Sequence, residues 1–178
     1  DGSALMKSPA LIYDIVKATR ESIEKPLTVK LRAGWDASSK NALECALAAE
    51  EGGADAVCVH GRTREDFYTP PVDLEIIAEV KSALKIPVIG NGGIFTADDA
   101  LKMINETKCD GLMIARGAVG NPFIFAEISA KLSQKEYKAP EISEKLDVAL
   151  EHARLMASDK GENVSVKKKK KHIAAYIH

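Results

Sequence analysis

Residues 86–94 read Ile-Pro-Val-Ile-Gly-Asn-Gly-Gly-Ile. A short apolar run opened by proline and closed by Asn91-Gly92-Gly93 is the pattern of a buried strand running into a tight turn. Thr96 then opens a helix with Ala100, Leu101 and Ile104 on one face. The same unit recurs on both sides of this stretch, at a spacing of roughly 28 residues. Residues 27–32 alternate as a strand ending at Gly34, and a helix capped by Ser39 follows, with Ala42, Leu43, Ala46 and Leu47 inward. Residues 56–60 are a second strand, followed by a helix from Asp73 with Ile76, Ile77, Val80 and Leu84 inward. Residues 111–115 are a fourth strand, and Asn121-Pro122 starts another helix. Short apolar strands alternating with amphipathic helices form a parallel sheet with helices packed on it.

The first element is a helix, with Ser8-Pro9 at its start, a stripe of Leu11, Ile12, Ile15 and Val16, and Pro26 at its stop. The alternation therefore lacks its leading strand. The expected fold is α/β: the C-terminal half of a (β/α)8 TIM barrel, four parallel strands, followed by an α-helical segment. The length of 178 residues agrees, being well short of the roughly 250 that a whole barrel needs. The chain also begins at Asp1 rather than Met, which fits a trimmed or processed chain. We expect a partial barrel over residues 1–132, a polar linker over 133–140, and the start of a helical domain over 141–178. The helix of residues 141–160 carries Leu146, Ala149, Leu150, Ala153 and Met156, and Gly161 stops it; a further helix is expected from about Asn163.

Composition narrows the class. With 46% hydrophobic and 29% charged residues and a net charge of −1, the chain is neither disordered nor a general polyanion binder. No uncharged run approaches the 18 or so residues of a membrane span. Cys45, Cys58 and Cys109 form no CxxC or CxxxC pair, so no metal site is expected. They read as reduced packing residues of a cytoplasmic protein, and no signal pattern opens the chain.

Chemistry collects where a parallel sheet presents it, at the C-terminal ends of the strands. These ends carry Lys30 and Arg32, His60-Gly61-Arg62, Asn91-Gly92-Gly93, and Arg116-Gly117. Cations and Gly-rich turns together suit an anionic ligand, because glycine lets backbone N–H groups approach an oxyanion. The local exception to the neutral charge is the run Lys167–Lys171, followed by His172. Five consecutive helical residues cover the full circumference, so this run is either a phosphate contact or a solvated terminal stretch.

Four motifs in order, V-K-L-R-A-G-W (29–35), V-H-G-R-T-R (59–64), P-V-I-G-N-G-G-I (87–94) and M-I-A-R-G-A-V-G-N-P (113–122), resemble the tRNA-dihydrouridine synthases. The resemblance implies an FMN-dependent, NADPH-fed oxidoreductase that reduces the C5=C6 bond of uridine in tRNA, on a barrel with a C-terminal helical RNA-binding domain. By position it assigns Lys30 and His60 to the flavin ring, Asn91, Gly92 and Gly93 to the first phosphate loop, and Arg116 and Gly117 to the second. Arg32, Arg62, Arg64, Lys171 and His172 are the candidate RNA contacts. The family's proton donor is a cysteine in a loop expected upstream of Asp1, so no catalytic acid is expected in this chain and the isolated chain is expected to be inactive. Gly93 stands where the family often has Asp, and residues 67–71, Phe-Tyr-Thr-Pro-Pro, replace a more Gly-containing loop. The open half-barrel is expected to self-associate. The competing readings are another phosphate-binding flavin barrel, of the dihydroorotate-dehydrogenase kind, and a non-catalytic half-barrel.

Overall fold

The computed structural model describes residues 2–69, 71–161 and 175–176. A 3-10 turn, Gly2–Lys7, leads into helix α1, Pro9–Ser22. Then come β1 (Thr28–Arg32), α2 (Ala42–Glu51), β2 (Ala56–His60), α3 (Leu74–Ala83), β3 (Val88–Asn91), α4 (Ala97–Thr107) and β4 (Gly111–Met113). A second 3-10 turn, Arg116–Ala118, precedes α5 (Ile124–Leu132) and α6 (Ile142–Lys160).

The strands form one parallel sheet in the order β1-β2-β3-β4. Sequential parallel neighbours joined by helices are the topology of a (β/α)8 barrel, and four of them make half of one. The chain divides into two compact units. The first holds Asp1–Ile94 and Asp98–Ile114, and with them the whole sheet; the second holds Phe95–Ala97 and Ala115–His178.

The core of the first unit lies between the sheet and its helices. Leu31, Val57, Val59 and Val88 are buried, as are Ile76, Ile77 and Val80 of α3. Gly90 leaves room for a close approach on this side: an added Cβ would lie 3.0 Å from both Cys109 Sγ and Met103 Sδ. Helix α3 starts where expected, with the Asp73 carboxylate accepting the Ile76 N–H at 3.2 Å.

Three carboxylates hold the strand starts at the opposite end from the candidate site. Asp55 Oδ2 accepts the Leu27 N–H at 2.6 Å and Arg20 Nη1 at 2.8 Å. Glu50 Oε1 accepts the N–H groups of Lys85 and Ile86 at 2.7 and 3.0 Å. Asp110 Oδ2 accepts the Val88 N–H at 2.8 Å and pairs with Lys81 Nζ at 2.6 Å. Each ties the entry of one strand to a neighbouring unit, which helps set the register and so the heights of the functional side chains.

Several local expectations are corrected. Helix α2 is entered at Asn41, not Ser39, whose hydroxyl donates to Asp36 Oδ1 at 2.9 Å. Its buried face is Ala42, Cys45, Ala46 and Ala49, while Leu47 is exposed. The small face allows close approach: an added Cβ on Gly52, just after α2, would lie 2.9 Å from Val16 Cβ of α1. In α1, Ile12 and Val16 are buried but Leu11 and Ile15 are exposed. In α4 the buried positions include Ala100, Met103 and Thr107, with Leu101 and Ile104 only half-buried. β4 ends at Met113, two residues early. In α6, Ala149 is buried whereas Leu146 and Leu150 are exposed. The expected helix from Asn163 lies outside the described residues, apart from helical Ala175 and Tyr176. Tyr176 is buried, with its hydroxyl 3.2 Å from His152 Nδ1. All three cysteines are free and buried.

Candidate functional site

The register across the sheet aligns the strand-end residues into two rows. Arg32, His60, Asn91 and Met113 are successive partners across β1 to β4, and Lys30, Cys58, Ile89 and Gly111 form the row beneath. Side chains alternate along a strand, so both rows project from the same face. Lys30, Arg32, His60 and Asn91, singled out one by one in the sequence, therefore share one face at the C-terminal ends of three strands.

Lys30 stands on β1 and Asn91 on β3, with β2 between them. Lys30 Nζ nevertheless donates to Asn91 Oδ1 at 2.9 Å, reaching across the intervening strand. Asn91 Nδ2 donates to the Met113 carbonyl at 2.7 Å. These two bonds fix the amide's orientation, since an ammonium only donates and a carbonyl only accepts. The ammonium carries two further N–H donors. Burial holds the Lys30 pKa below its ordinary 10.5; Cys58 opposes that shift and Arg32 adds to it. Lys30 remains exposed, so the site presents a solvent-accessible cation beside Asn91 for an anionic ligand to pair with. Beneath it, Cys58 is buried, with Sγ 3.6 Å from Met113 Sδ. Burial pushes its thiol upward, against the pull of Lys30.

Gly92 follows directly at φ +113°, and Gly93 at φ +69°. An added Cβ on Gly92 would lie 2.6 Å from His60 Cδ2 and 2.9 Å from Nε2. The imidazole therefore packs on the bare backbone of this turn, which no L side chain could replace. Val72 Cγ2 lies 3.0 Å from the position a Cβ would take on either glycine. That contact had no signal in the periodicity of the sequence.

The arginines separate. Arg62 is only 7% exposed and folds into the protein. Arg32 Nη1 donates to the Thr63 carbonyl at 3.1 Å. The Arg64 guanidinium lies 4.9 Å from the Trp35 ring centroid, and Lys7 Nζ lies 3.8 Å from the same centroid. Sequence reading missed Lys7 and Trp35, which meet Arg64 only through the fold. It also missed the reciprocal bonds between Thr63 and Asp66, for which the T-x-x-D spacing was an available signal. Arg116 and Gly117 begin the 3-10 turn of the second unit, where the Arg116 guanidinium lies 5.3 Å from the Phe95 ring centroid. Lys171 and His172 lie outside the described residues.

A cleft of about 790 Å³ opens beside β1, lined by all of its residues, by Ile12, Ile15 and Val16 of α1, and by Arg64 and Phe67. Among the described residues, no three metal-ligating side chains cluster, and no helix is long and apolar enough to cross a membrane.

Comparison with known proteins places these features in a family. The dihydrouridine synthase (Dus) family profile matches residues 1–178. A probable tRNA-dihydrouridine synthase of Rickettsia conorii is 43% identical over 176 residues, 98% of this chain and 53% of its own length. The tRNA-dihydrouridine synthase B of Pseudomonas putida is 38% identical over 177 residues, 99% of this chain and 52% of its own. The chain thus spans about half the length of the curated relatives it matches. Among solved structures, GGGPS from Thermoplasma volcanium overlaps 70% of this chain and 57% of its own, at a TM-score of 0.46 and 21% identity. The profile match over residues 1–178, with relatives at 38–43% identity, establishes that the chain belongs to the dihydrouridine synthase family.

Proposed function

We propose that this chain is the flavin-holding half of a tRNA-dihydrouridine synthase, an oxidoreductase that reduces the C5=C6 bond of uridine in tRNA. The observation that carries this reading is the Lys30–Asn91 hydrogen bond across β2, beside a glycine turn. FMN, when bound, supplies the hydride, and NADPH restores it.

The residues present fit that cofactor. An exposed ammonium, held by Asn91 and with two further N–H donors, suits the electron-rich edge of a flavin ring. The bare turn at Gly92 and Gly93 offers backbone N–H groups to a phosphate, since a side chain on Gly92 would collide with His60. Lys30 holds its charge against the ring edge, and Asn91 aims Lys30. His60 stands in the same row, in position to hydrogen-bond flavin or the target base. Arg116 and Gly117 keep a phosphate-contact role on their motif alone.

Proton donation to C5 is assigned outside these residues. Cys45, Cys58 and Cys109 are at most 6% exposed. Burial pushes the Cys45 thiol up to about 11. The chain by itself should hold FMN without reducing uridine. The domain reading remains a partial barrel over residues 1–132, a linker over 133–140 and the start of an RNA-binding helical domain over 141–178. We assign the protein to the cytoplasm, where its tRNA substrate resides.

The test is FMN titration of the purified chain, followed by absorbance, alongside Lys30→Met. The variant should bind roughly 10-fold or more weakly, with the thermal midpoint little changed. Equal FMN affinity in both proteins would remove Lys30 from the site, and dihydrouridine formation by the chain alone would refute the assignment of the proton donor.

A further inference from the structure

The glycine turn after β3 has no side chains with which to hold its own shape. Gly92 and Gly93 sit at φ +113° and +69°, where glycine moves freely and other residues are strained. Backbone N–H groups that meet a phosphate need a fixed direction, so the hold has to come from neighbours. His60 supplies it from one side, with Cδ2 2.6 Å from the position a Cβ would take on Gly92.

The second hold is Val72, just before α3. Its Cγ2 lies 3.0 Å from the position a Cβ would take on Gly92, and equally far from that on Gly93. Its Cγ1 lies 2.7 Å from the corresponding position on Gly61, directly after β2. One branched side chain thus closes on three bare backbone positions. Valine suits this task, because two heavy atoms on Cβ restrict χ1 and its methyls have little freedom to swing. A valine that served the core alone would be fully buried; Val72 is half-buried, and its methyls face glycine backbone.

Val72 is itself firmly held. The next residue, Asp73, is tied three ways. Its N–H donates to the Gly61 carbonyl at 2.7 Å. Its Oδ1 accepts the Ile76 N–H at 3.2 Å, and its Oδ2 pairs with Lys40 Nζ at 2.7 Å. Lys40 in turn bridges to Gly34, in the loop after β1. The Gly61 N–H donates to the Asn91 carbonyl at 3.3 Å, immediately before the turn. The loops after β1, β2 and β3 are therefore joined at Val72 and Asp73.

We propose that Val72 is a positioning residue for phosphate: its methyl groups pin the Gly92–Gly93 turn in the shape that directs backbone N–H groups at the phosphate of the flavin. Val72 does not touch the phosphate; it acts through the turn. The proposal rests on the functional reading above, which gives the turn its ligand.

The test compares two flavins on the 178-residue chain, FMN and riboflavin, by quenching of flavin fluorescence. Riboflavin lacks the phosphate, so the ratio of the two affinities isolates what the turn contributes. The wild-type chain should bind FMN about 10-fold or more tightly than riboflavin. Val72→Ala should narrow that ratio to about threefold or less, with riboflavin affinity unchanged. Val72→Leu keeps an apolar side chain but moves the methyls off Cβ, and should narrow the ratio in the same way without opening a cavity. Val72→Thr keeps both branch positions and should retain the wild-type ratio. The proposal is overturned if Val72→Ala or Val72→Leu keeps the wild-type ratio, or if either weakens both flavins equally, which is the mark of a merely structural role. Loss of the ratio in Val72→Thr would overturn it as well. The wild-type chain separates this proposal from the functional reading. If it binds FMN no better than riboflavin, the reading of the turn fails and the proposal with it; if it discriminates and the variants do too, the proposal fails alone.

Discussion

Lys30 is where chemistry and electrostatics meet most closely. Its side chain is exposed, yet what burial it has holds its pKa below 10.5. The sign follows from linkage. The folded protein slightly disfavours the charged form relative to the unfolded chain, so Lys30 carries a small, solvent-screened cost at neutral pH. That cost is relieved as pH rises from the folded pKa towards 10.5. An anion at the site should reverse the shift. FMN or another anion should therefore bind best below the Lys30 pKa and weaken on titration towards pH 10, as a pH series of dissociation constants will show; a flat profile would count against Lys30. Gly92 is a second single-residue test. Gly92→Ala places a Cβ at φ +113° and against His60, and should cost about 1–3 kcal/mol in urea denaturation. Lys30, His60 and Asn91 were visible as candidates because they end apolar runs. The burial of Arg62 was not visible, because Arg62 and Arg64 look alike in sequence and only their packing separates them.

Elements are held at their strand entries by carboxylates. Asp55 is kept below the usual carboxylate range by the Leu27 N–H and by Arg20. Asp110 is kept there by Lys81 and the Val88 N–H. Folded pKa values depressed in this way add stability above the unfolded value of about 4. That stability is lost as pH falls through the folded values. Urea midpoints should fall between pH 5 and pH 3, and Asp55→Asn/Asp110→Asn should flatten that dependence. Both side chains are largely exposed, so the effect is expected to be modest and screened by salt. Helix positions were legible from period and punctuation, which are local properties. Helix faces were less so: Leu47 and Leu101 fit a stripe, yet Cys45 and Met103 are the buried neighbours. Periodicity defines a stripe only to within about one residue's turn. The face chosen depends on how closely helix and sheet approach, which small residues permit.

At the scale of the whole molecule, the sheet has two edges. A closed barrel has none, and an unpaired edge invites another strand. Among the described residues, β1 and β4 each have one partner in the sheet, and β1 borders the 790 Å³ cleft. We predict concentration-dependent self-association of the isolated chain by light scattering; a monomer at all concentrations would contradict this. The core beneath should behave as an ordinary one. Ile77 is fully buried on α3, and Ile77→Ala should cost about 2–5 kcal/mol in a denaturant titration.

The sequence by itself determined the order of strands and helices, the half-barrel topology, the buried state of the cysteines and the family. Each follows from local patterns: runs of apolar residues, glycine and proline punctuation, and motifs at fixed spacing. Tertiary structure alone decided that Lys30 reaches Asn91 across a whole strand, that His60 lies on Gly92, and that Lys7, Trp35 and Arg64 meet. Those contacts join residues between 28 and 61 positions apart, or bring two loops together, and depend on register and side-chain reach. No local pattern encodes either quantity, because each is set only when neighbouring strands lock side by side.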